Sequence, residues 1–262
     1  MVELKCTRFD YSGVPILSDA EIDRFAYTVL TDYKPELLEK PGKIDFSHFI
    51  EFYLEANLSY QDIYNDDPEK PIFGMAVFHE GMIKVFDRKS LSIEEIWVDN
   101  NTIVLDNYVM EEGKEGLALF TGLHECGHFI FDYDTYNNMD YHNENASAIL
   151  CRQGNIENFS SRKYHRTPSE WREHHADYFA AGISMPNTTF IPFINRKMRE
   201  YFYYKPQVII GENEETDYLA EVVLPQDISE TYGVSKRAAY IKLIKCGFII
   251  DNGKRNKAIY WK

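Results

Sequence analysis

Residues 121–132 (TGLHECGHFIFD) limit the fold most strongly, because they set two histidines four residues apart with a glutamate after the first. Each residue of an α-helix turns by about 100°, so His124 and His128 lie about 40° apart and both imidazoles can reach one ion. Glu125 flanks that face at about 100° from His124, where it can contact a water molecule beside the metal without being a ligand. The segment therefore predicts a helix with the H-E-x-x-H pattern of zinc hydrolases.

A third ligand is expected downstream, because a catalytic zinc takes three protein ligands and keeps its fourth position open. Residues 170–186 (EWREHHADYFAAGISMP) carry Glu173 and Asp177 one helical turn apart on one face. Ala176 and Ala180 lie within about 60° of Glu173 on the helical wheel, and such small side chains let two helices approach closely. This pattern favours Glu173 as the third ligand, on a second helix.

Other side chains near these motifs stay as alternatives or supporting groups. His174 and Glu170 are weaker ligand candidates, His174 because it lies about 100° from Glu173 and Glu170 because it lies a turn earlier. Asp177 is expected to accept a hydrogen bond from the ring nitrogen of His124 that does not face the metal. A developing oxyanion would need a stabilising side chain. The candidates for that role are His174, Tyr133, Tyr136 and Tyr178.

Composition limits the class of protein. The 262 residues are 44% hydrophobic, enough for one large domain or a domain with an appendage. No run of about 18 apolar residues predicts a membrane span, and the N-terminal MVELKCTRFDYSG lacks the features of a signal peptide. Four cysteines without a C-x-x-C pair indicate a reducing compartment, so we expect a cytoplasmic protein. A net charge of −14 argues against a chain that coats nucleic acid or an anionic membrane as a whole.

Hydrophobic periodicity predicts helices before a small sheet. Apolar spacing favours helices over 19–33, with Ser18 as N-cap, and over 45–55. Two segments are each typical of a hairpin. In the first, GMAVF and MIKVF flank HEG, and in the second, EIWV and TIVLDNYV flank DNN. The H-E-x-x-H helix is expected over 117–132, and a weak helix signal covers 144–150. The second ligand helix is expected over 168–186, with a proline at each end. The fold class is therefore α+β, with N-terminal helices and a small antiparallel sheet before the two ligand helices.

The C-terminal part differs from the rest, because lysine and arginine outnumber acidic residues from Ser235 onwards. This change and the polar run GENEETD predict two units, a metal-binding domain over 1–210 and an appendage over 211–262. Ser235 is expected to cap a helix over 236–246, and the segment FII-DNGKRNK-AIYW is typical of a hairpin. The appendage therefore resembles a helix-turn-helix or winged helix.

Two roles are open for this basic tail. It would contact DNA through its helix and hairpin, or it would be a cap docked on the acidic body or on a partner. The side chains that separate these roles are Lys236, Arg237 and Lys242. We favour the cap, in which they would lie partly against acidic residues of the body.

The two ligand motifs together resemble the ImmA/IrrE family of cytoplasmic zinc metallopeptidases, over about residues 20–186. The family's second pattern is Glu-x-x-Ala-Asp/Asn-x-Phe-Ala followed by Met-Pro. Its matching positions are Glu173, Ala176, Asp177, Phe179, Ala180, Met185 and Pro186. The resemblance implies a zincin-like fold with one zinc ion held by His124, His128 and Glu173, and Glu125 as general base. The interval from His128 to Glu173 is long for the family, which predicts an inserted loop over 139–168.

The resemblance implies a zinc-dependent endopeptidase that cleaves a cytoplasmic protein, such as a transcriptional repressor. The strand over 102–106 would offer an edge on which an extended peptide binds. The alternative is a non-proteolytic regulator that is stabilised by zinc and whose basic tail binds DNA or a partner protein. Glu125 favours the enzyme, because a structural zinc site fills its fourth position with a ligand and needs no base.

Overall fold

The computed structural model describes residues 2–67, 69, 71–137, 148–152 and 166–251, and within them helices and strands are mixed in an α+β arrangement. The helices are α1 (Asp19–Tyr33), α2 (Glu36–Glu39), α3 (Phe46–His48), α4 (Glu115–Phe131), α5 (Tyr133–Asn137), α6 (Pro168–Ser184), α7 (Asn187–Glu200), α8 (Glu214–Tyr218), α9 (Leu224–Tyr232) and α10 (Lys236–Lys245). π-helical turns follow α3 (Phe49–Tyr53) and α8 (Leu219–Val223), and Asn107–Met110 form a 3-10 turn. The strands are β1 (Asn57–Gln61), β2 (Ile72–Val77), β3 (Gly81–Asp87), β4 (Ser92–Val98), β5 (Thr102–Asp106), β6 (Ala148–Arg152), β7 (Val208–Ile210) and β8 (Ile249–Asp251). None of the helices in these ranges has both the length and the apolar character that crossing a membrane requires.

The central sheet is mixed rather than antiparallel, with strand order β1-β5-β2-β6. β5 pairs in parallel with β1 and antiparallel with β2, and β2 also pairs antiparallel with β6. β3 and β4 pair with each other in a separate two-stranded ribbon. Both predicted hairpins are therefore wrong, because β2 does not pair with β3 and β4 does not pair with β5.

Burial explains these pairings. All six residues of β2 are buried, so this strand needs a neighbour on each edge, and β5 and β6 provide them. The ribbon instead carries exposed apolar pairs along one face, with Met82 opposite Trp97 and Phe86 opposite Ile93. The turn signals HEG and DNN mark where one strand ends and the next begins, but they do not select the partner strand.

The N-terminal helices follow from their sequence as predicted. Ser18 accepts a hydrogen bond from the backbone N–H of Glu21, and the Glu21 carboxylate accepts one from the backbone N–H of Ser18, which completes a capping box. The helix over 45–55 is present as α3 and its π-helical continuation, capped by Asp45. The predicted apolar face of α1 is buried, with Ile22, Phe25, Ala26, Val29 and Leu30 turned to the core.

The two predicted ligand helices are confirmed as α4 and α6, which pack side by side. Gly127 of α4 faces Ala176 of α6, and a Cβ atom at Gly127 would lie only 2.6 Å from the Ala176 Cα atom. The close approach of these helices therefore depends on small residues, as the sequence predicts. Cys126 is fully buried, and burial raises the pKa of its thiol, in agreement with a packing role.

The segment between α5 and α6 contains a strand in part of the region where a weak helix was predicted. Ala148–Arg152 form β6 at one end of the strand order, so the signal over 144–150 is wrong for its last three residues. Pairing with the buried strand β2 overrides a weak local propensity for helix. Residues 144–147, and the predicted loop over 139–168 apart from 148–152 and 166–168, lie outside the described residues.

The C-terminal helices join the same core as the rest of the chain. Ser235 caps α10 as predicted and accepts a hydrogen bond from the Ala238 N–H at 3.1 Å. β8 pairs in parallel with β7. The tail residues of the main hydrophobic cluster include Leu224, Ile228, Tyr232, Ala239 and Leu243. The predicted helices are confirmed, the second hairpin strand (252–262) lies outside the described residues, and the division at 210/211 stays a prediction.

Candidate metal centre

Three potential metal ligands converge where α4 meets α6. The Nε2 atoms of His124 and His128 lie 3.0 Å apart. Oε2 of Glu173 lies 3.4 Å from the first of these nitrogens, and Oε1 lies 3.7 Å from the second. One ligand atom from each residue lies within 4.8 Å of the others, so the structure brings together the triad that the sequence predicts.

The triad fits a zinc ion in both geometry and donor chemistry. Bonds of about 2.0–2.2 Å at tetrahedral angles separate two zinc ligands by about 3.3–3.6 Å, which is close to the separations in this site. Two imidazoles and one carboxylate are a donor set of catalytic zinc sites. Both histidines are fully buried, whereas the Glu173 side chain is 21% exposed.

Asp177 holds the imidazole of His124. Its Oδ1 atom lies 2.9 Å from Nδ1 of His124, and its side chain is almost fully buried. Burial raises the pKa of Asp177, while the hydrogen bond to His124 opposes that rise. A proton on Nδ1 leaves the lone pair of Nε2 directed at the triad. Asp177 therefore lies where a partner of the metal ligand is expected.

Asp132 holds the second imidazole, and the sequence analysis missed it. Its Oδ2 atom lies 3.2 Å from Nδ1 of His128, and the carboxylate is fully buried. Arg172 of α6 places its Nε atom 3.3 Å from the other oxygen, Oδ1, so a charge partner faces the buried carboxylate. The signal was present in the sequence, because Asp132 follows His128 by four residues and shares its face.

Glu125 lies beneath the central sheet, fully buried between α4 and β2. A Cβ atom at Gly74 of β2 would lie 2.7 Å from Oε1 of Glu125 and 2.9 Å from Cγ2 of Thr121. The missing side chain at Gly74 therefore makes the space that Glu125 occupies. No local pattern identifies this role, because it follows from which strand lies over α4.

Three other predicted candidates are directed to different partners. Nε2 of His174 lies 2.9 Å from Oδ1 of Asp19, and the Tyr178 hydroxyl donates to Oδ2 of the same carboxylate at 2.6 Å. Burial lowers the pKa of His174 to about 4. Glu170 is not a ligand but completes the capping box of α6 with Thr167. The structure thus joins His174 and Tyr178 to α1, and a role for either in stabilising an oxyanion stays a prediction.

The remaining tyrosines lie on α5. The Tyr136 ring stacks on Phe78 at a centroid distance of 4.6 Å, and Tyr133 contacts the same ring edge-on at 6.5 Å. Burial raises the pKa of Tyr136, Arg172 lowers it, and the negative charges of Asp132 and Glu173 raise it further. A role for Tyr133 or Tyr136 in stabilising an oxyanion stays a prediction.

Comparisons with known proteins do not identify a family for this chain. No family model and no curated protein matches the chain. Among solved structures, the chain is similar to a Mycobacterium tuberculosis transcriptional regulator, with 12% sequence identity and a TM-score of 0.38. The match covers 84% of this chain but 45% of that one, so the chain spans less than half of the regulator's length. A similarity this weak decides neither family nor function.

Proposed function

We propose that this protein is a zinc-dependent endopeptidase with a zincin-like fold, as its resemblance to the ImmA/IrrE family implies. One observation carries the proposal: two imidazole Nε2 atoms and the Glu173 carboxylate converge within 4.8 Å, while buried carboxylates hold both imidazoles from behind. A surface cluster of charged residues has no reason to bury His124 and His128 completely or to fix their tautomers.

The residues of the chain divide the chemistry between them. A bound zinc ion would supply Lewis acidity and make a water molecule acidic enough to lose its proton near pH 7. Glu125 accepts that proton as the water attacks a peptide carbonyl, and it then delivers the proton to the leaving nitrogen. Asp177 and Asp132 keep the ligand imidazoles oriented throughout. Tyr136 donates a hydrogen bond to the developing oxyanion.

The ligand count favours an enzyme over a zinc-stabilised scaffold. A structural zinc site closes its four positions with protein ligands, whereas a catalytic site keeps one open. Among the residues that the structure describes, the cluster consists of His124, His128 and Glu173, without a fourth protein ligand. The adjacent Glu125 has no role in a purely structural site, which argues against the non-proteolytic alternative.

The substrate is a protein segment that binds in an extended conformation. The strand over 102–106, which the sequence favoured as the binding edge, is β5 in the interior of the sheet, paired on both sides. Among the described strands, the last in the sheet order is β6, in which Cys151 pairs with Gly74 of β2, the residue that lies over Glu125. A peptide added to β6 would gain main-chain hydrogen bonds close to the triad. The resemblance favours a cytoplasmic transcriptional repressor as the protein that supplies this segment.

Cleavage and metal content test the proposal together. The zinc-loaded protein would be incubated with a proteome-derived peptide library and with regulator proteins encoded beside its gene, and new termini would be identified by mass spectrometry. We expect new termini from the wild type, none from Glu125→Gln with one zinc still bound, and none from His128→Ala with zinc lost. A zinc-loaded wild type that cleaves neither substrate set would refute the peptidase. Loss of zinc from Glu125→Gln would show that Glu125 is a ligand rather than the base.

A further inference from the structure

A cavity of about 210 Å³ lies where the C-terminal helix α10 meets the body of the protein. Helices α1, α6 and α7 form its other walls. Its polar lining consists of Asp23, Tyr178, Asn187, Lys242, Lys245 and Cys246, and apolar side chains complete it. No residue of the metal triad lines it, so its chemistry is separate from that centre.

Lys242 is the unusual member of this lining. The residue is only 7% exposed, and no hydrogen bond or ion pair reaches its ammonium group from the part of the chain that the structure describes. The closest aromatic face is the Phe190 ring, with its centroid 5.8 Å from Nζ. Burial lowers the pKa of Lys242, while nearby Cys246 and Asp23 oppose that effect. A lysine whose side chain is largely buried loses most of its hydration, so an anion in the cavity that it lines would offset that loss.

Lys245 adds a second ammonium to the same wall, one helical turn later. Its Nζ atom lies 4.3 Å above the ring of Tyr178, which orients the side chain across the cavity. Burial lowers the pKa of Lys245 to about 8, so it remains largely protonated at neutral pH. Two lysines that face one small space concentrate positive charge in a chain whose net charge is −14.

The opposite wall supplies a hydrogen-bond acceptor. Oδ2 of Asp23 accepts a hydrogen bond from Nδ2 of Asn187 at 3.1 Å, which fixes the carboxylate in place. The thiol of Cys246 contacts Oδ1 of the same asparagine at 3.8 Å. The cavity thus combines two ammonium groups on one side with a positioned carboxylate on the other, so an anionic ligand that also carries hydroxyl groups is complementary to it.

We propose that this cavity binds a small phosphorylated metabolite. The phosphate lies between Lys242 and Lys245, because a doubly charged tetrahedral anion matches two separate point charges. A hydroxyl group of the ligand donates to Asp23. The cavity joins the C-terminal helix to α6, the helix that carries Glu173, so the ligand bridges the tail and the body.

Titration calorimetry of the full chain with ribose 5-phosphate tests the site. We expect saturable binding that is absent with ribose and about tenfold weaker or worse in Lys242→Met and in Lys245→Met, because each variant loses one charge-assisted contact. Lys236→Met, at an exposed lysine of the same helix, should bind as the wild type does. Two variants are used to distinguish loss of binding from loss of folding. Lys242→Met alters a buried position, whereas Lys245→Met alters a more accessible one.

The outcomes separate this site from the metal centre. Binding should persist after a chelator removes zinc, so the result does not depend on the proposed peptidase. Ligand binding that disappears with the metal would place the phosphate at the triad and overturn the proposal. A wild type that shows no saturable binding at millimolar ligand, or variants that bind equally well, would also overturn it and leave Lys242 as an interface residue.

Discussion

Oδ1 of Asp177 lies 2.9 Å from Nδ1 of His124, and this contact joins two helices across 53 positions of sequence. The carboxylate fixes which nitrogen of the imidazole carries the proton, and therefore which nitrogen is free for a metal. Because Asp177 stands one helical turn after Glu173, the same helix supplies one ligand and orients another. The geometry of this candidate metal centre is thus set by how closely α4 and α6 approach.

The first prediction concerns this orienting carboxylate. Asp177→Asn keeps the size of the side chain but removes the charge that holds the His124 tautomer, so zinc affinity should fall about 10–100-fold. Competition against a chromophoric chelator measures the change. Asp132→Asn should have a similar effect through His128, whereas Asp87→Asn, at the turn of the β3–β4 ribbon, should leave the affinity unchanged. Wild-type affinity in both Asp177→Asn and Asp132→Asn would show that neither carboxylate tunes the metal.

The cluster of His124, His128 and Glu173, which could hold a metal ion, was largely predictable from sequence, because its geometry is local to two helices. The 100° turn of an α-helix places His124 and His128 on one face, and the small residues near Glu173 indicate where the second helix packs. Asp132 could have been found by the same spacing from His128. The pairing of β2 could not, because its partners come from distant parts of the chain and the local turn signals carry no information about them. The role of Gly74 depends on that pairing and was hidden for the same reason.

The second prediction concerns the space for the general base. In Gly74→Ala the new Cβ atom would lie 2.7 Å from Oε1 of Glu125, so the carboxylate must move. We expect zinc to remain bound, kcat for peptide cleavage to fall by about a hundredfold or more, and stability to fall by about 1–3 kcal/mol. Gly81→Ala is the matched control, since a Cβ atom there meets nothing within 4 Å. Wild-type kcat in Gly74→Ala would mean that Glu125 does not need its present position.

The third prediction concerns the contact between the two ligand helices. In Gly127→Ala the added methyl group would lie 2.6 Å from the Cα atom of Ala176, and backbone cannot rotate away as a side chain can. α6 must move away from α4, so stability should fall by about 1–3 kcal/mol and zinc affinity should fall with it. Thermal denaturation and chelator competition measure the two effects.

Gly182→Ala provides the contrast, on α6 rather than on α4. Its methyl group would meet the Cβ atom of Ala26 at 3.0 Å, on α1 rather than α4. This variant should lose stability without losing metal affinity. If both glycine variants weakened zinc equally, the effect would come from general loosening of α6 and not from the separation of the two ligand helices.

The fourth prediction concerns stabilisation by the metal. Zinc at 100 times its dissociation constant should stabilise the folded state by about 2.7 kcal/mol, which raises Tm by several degrees in a chain of this size. Glu125→Gln should show the same rise, because the base is not a ligand. Glu173→Gln should show a much smaller one, because it loses a ligand charge. An equal response in Glu125→Gln and Glu173→Gln would contradict the assignment of these two roles.

The three basic residues of the tail that distinguish a cap from a DNA reader differ in their burial. Lys242 is buried against the body near Asp23, whereas Lys236 and Arg237 are exposed at the start of α10. Among the described residues no ion pair joins Lys236, Arg237 or Lys242 to an acidic side chain, so the expectation that all three lie against acidic residues is not met. The contact between tail and body is close, because a Cβ atom at Gly116 of α4 would overlap the backbone nitrogen of Ser235.

The fifth prediction follows from this division. If the tail is a cap, Gly116→Ala should lower Tm by pushing α10 away from α4, and the full chain should show negligible affinity for duplex DNA.

Fluorescence anisotropy at 50 and 200 mM salt measures the affinity for DNA, with Lys236→Glu/Arg237→Glu as the matched variant. A DNA-reading tail with six to ten phosphate contacts would lose about 10³–10⁵ in affinity between these salt concentrations. Binding with such a slope, abolished in the double variant, would show that the exposed pair reads DNA. The described part of the tail exposes three basic side chains, those of Lys236, Arg237 and Lys245. On an acidic chain these are too few to sustain that many phosphate contacts, which is why we expect the cap.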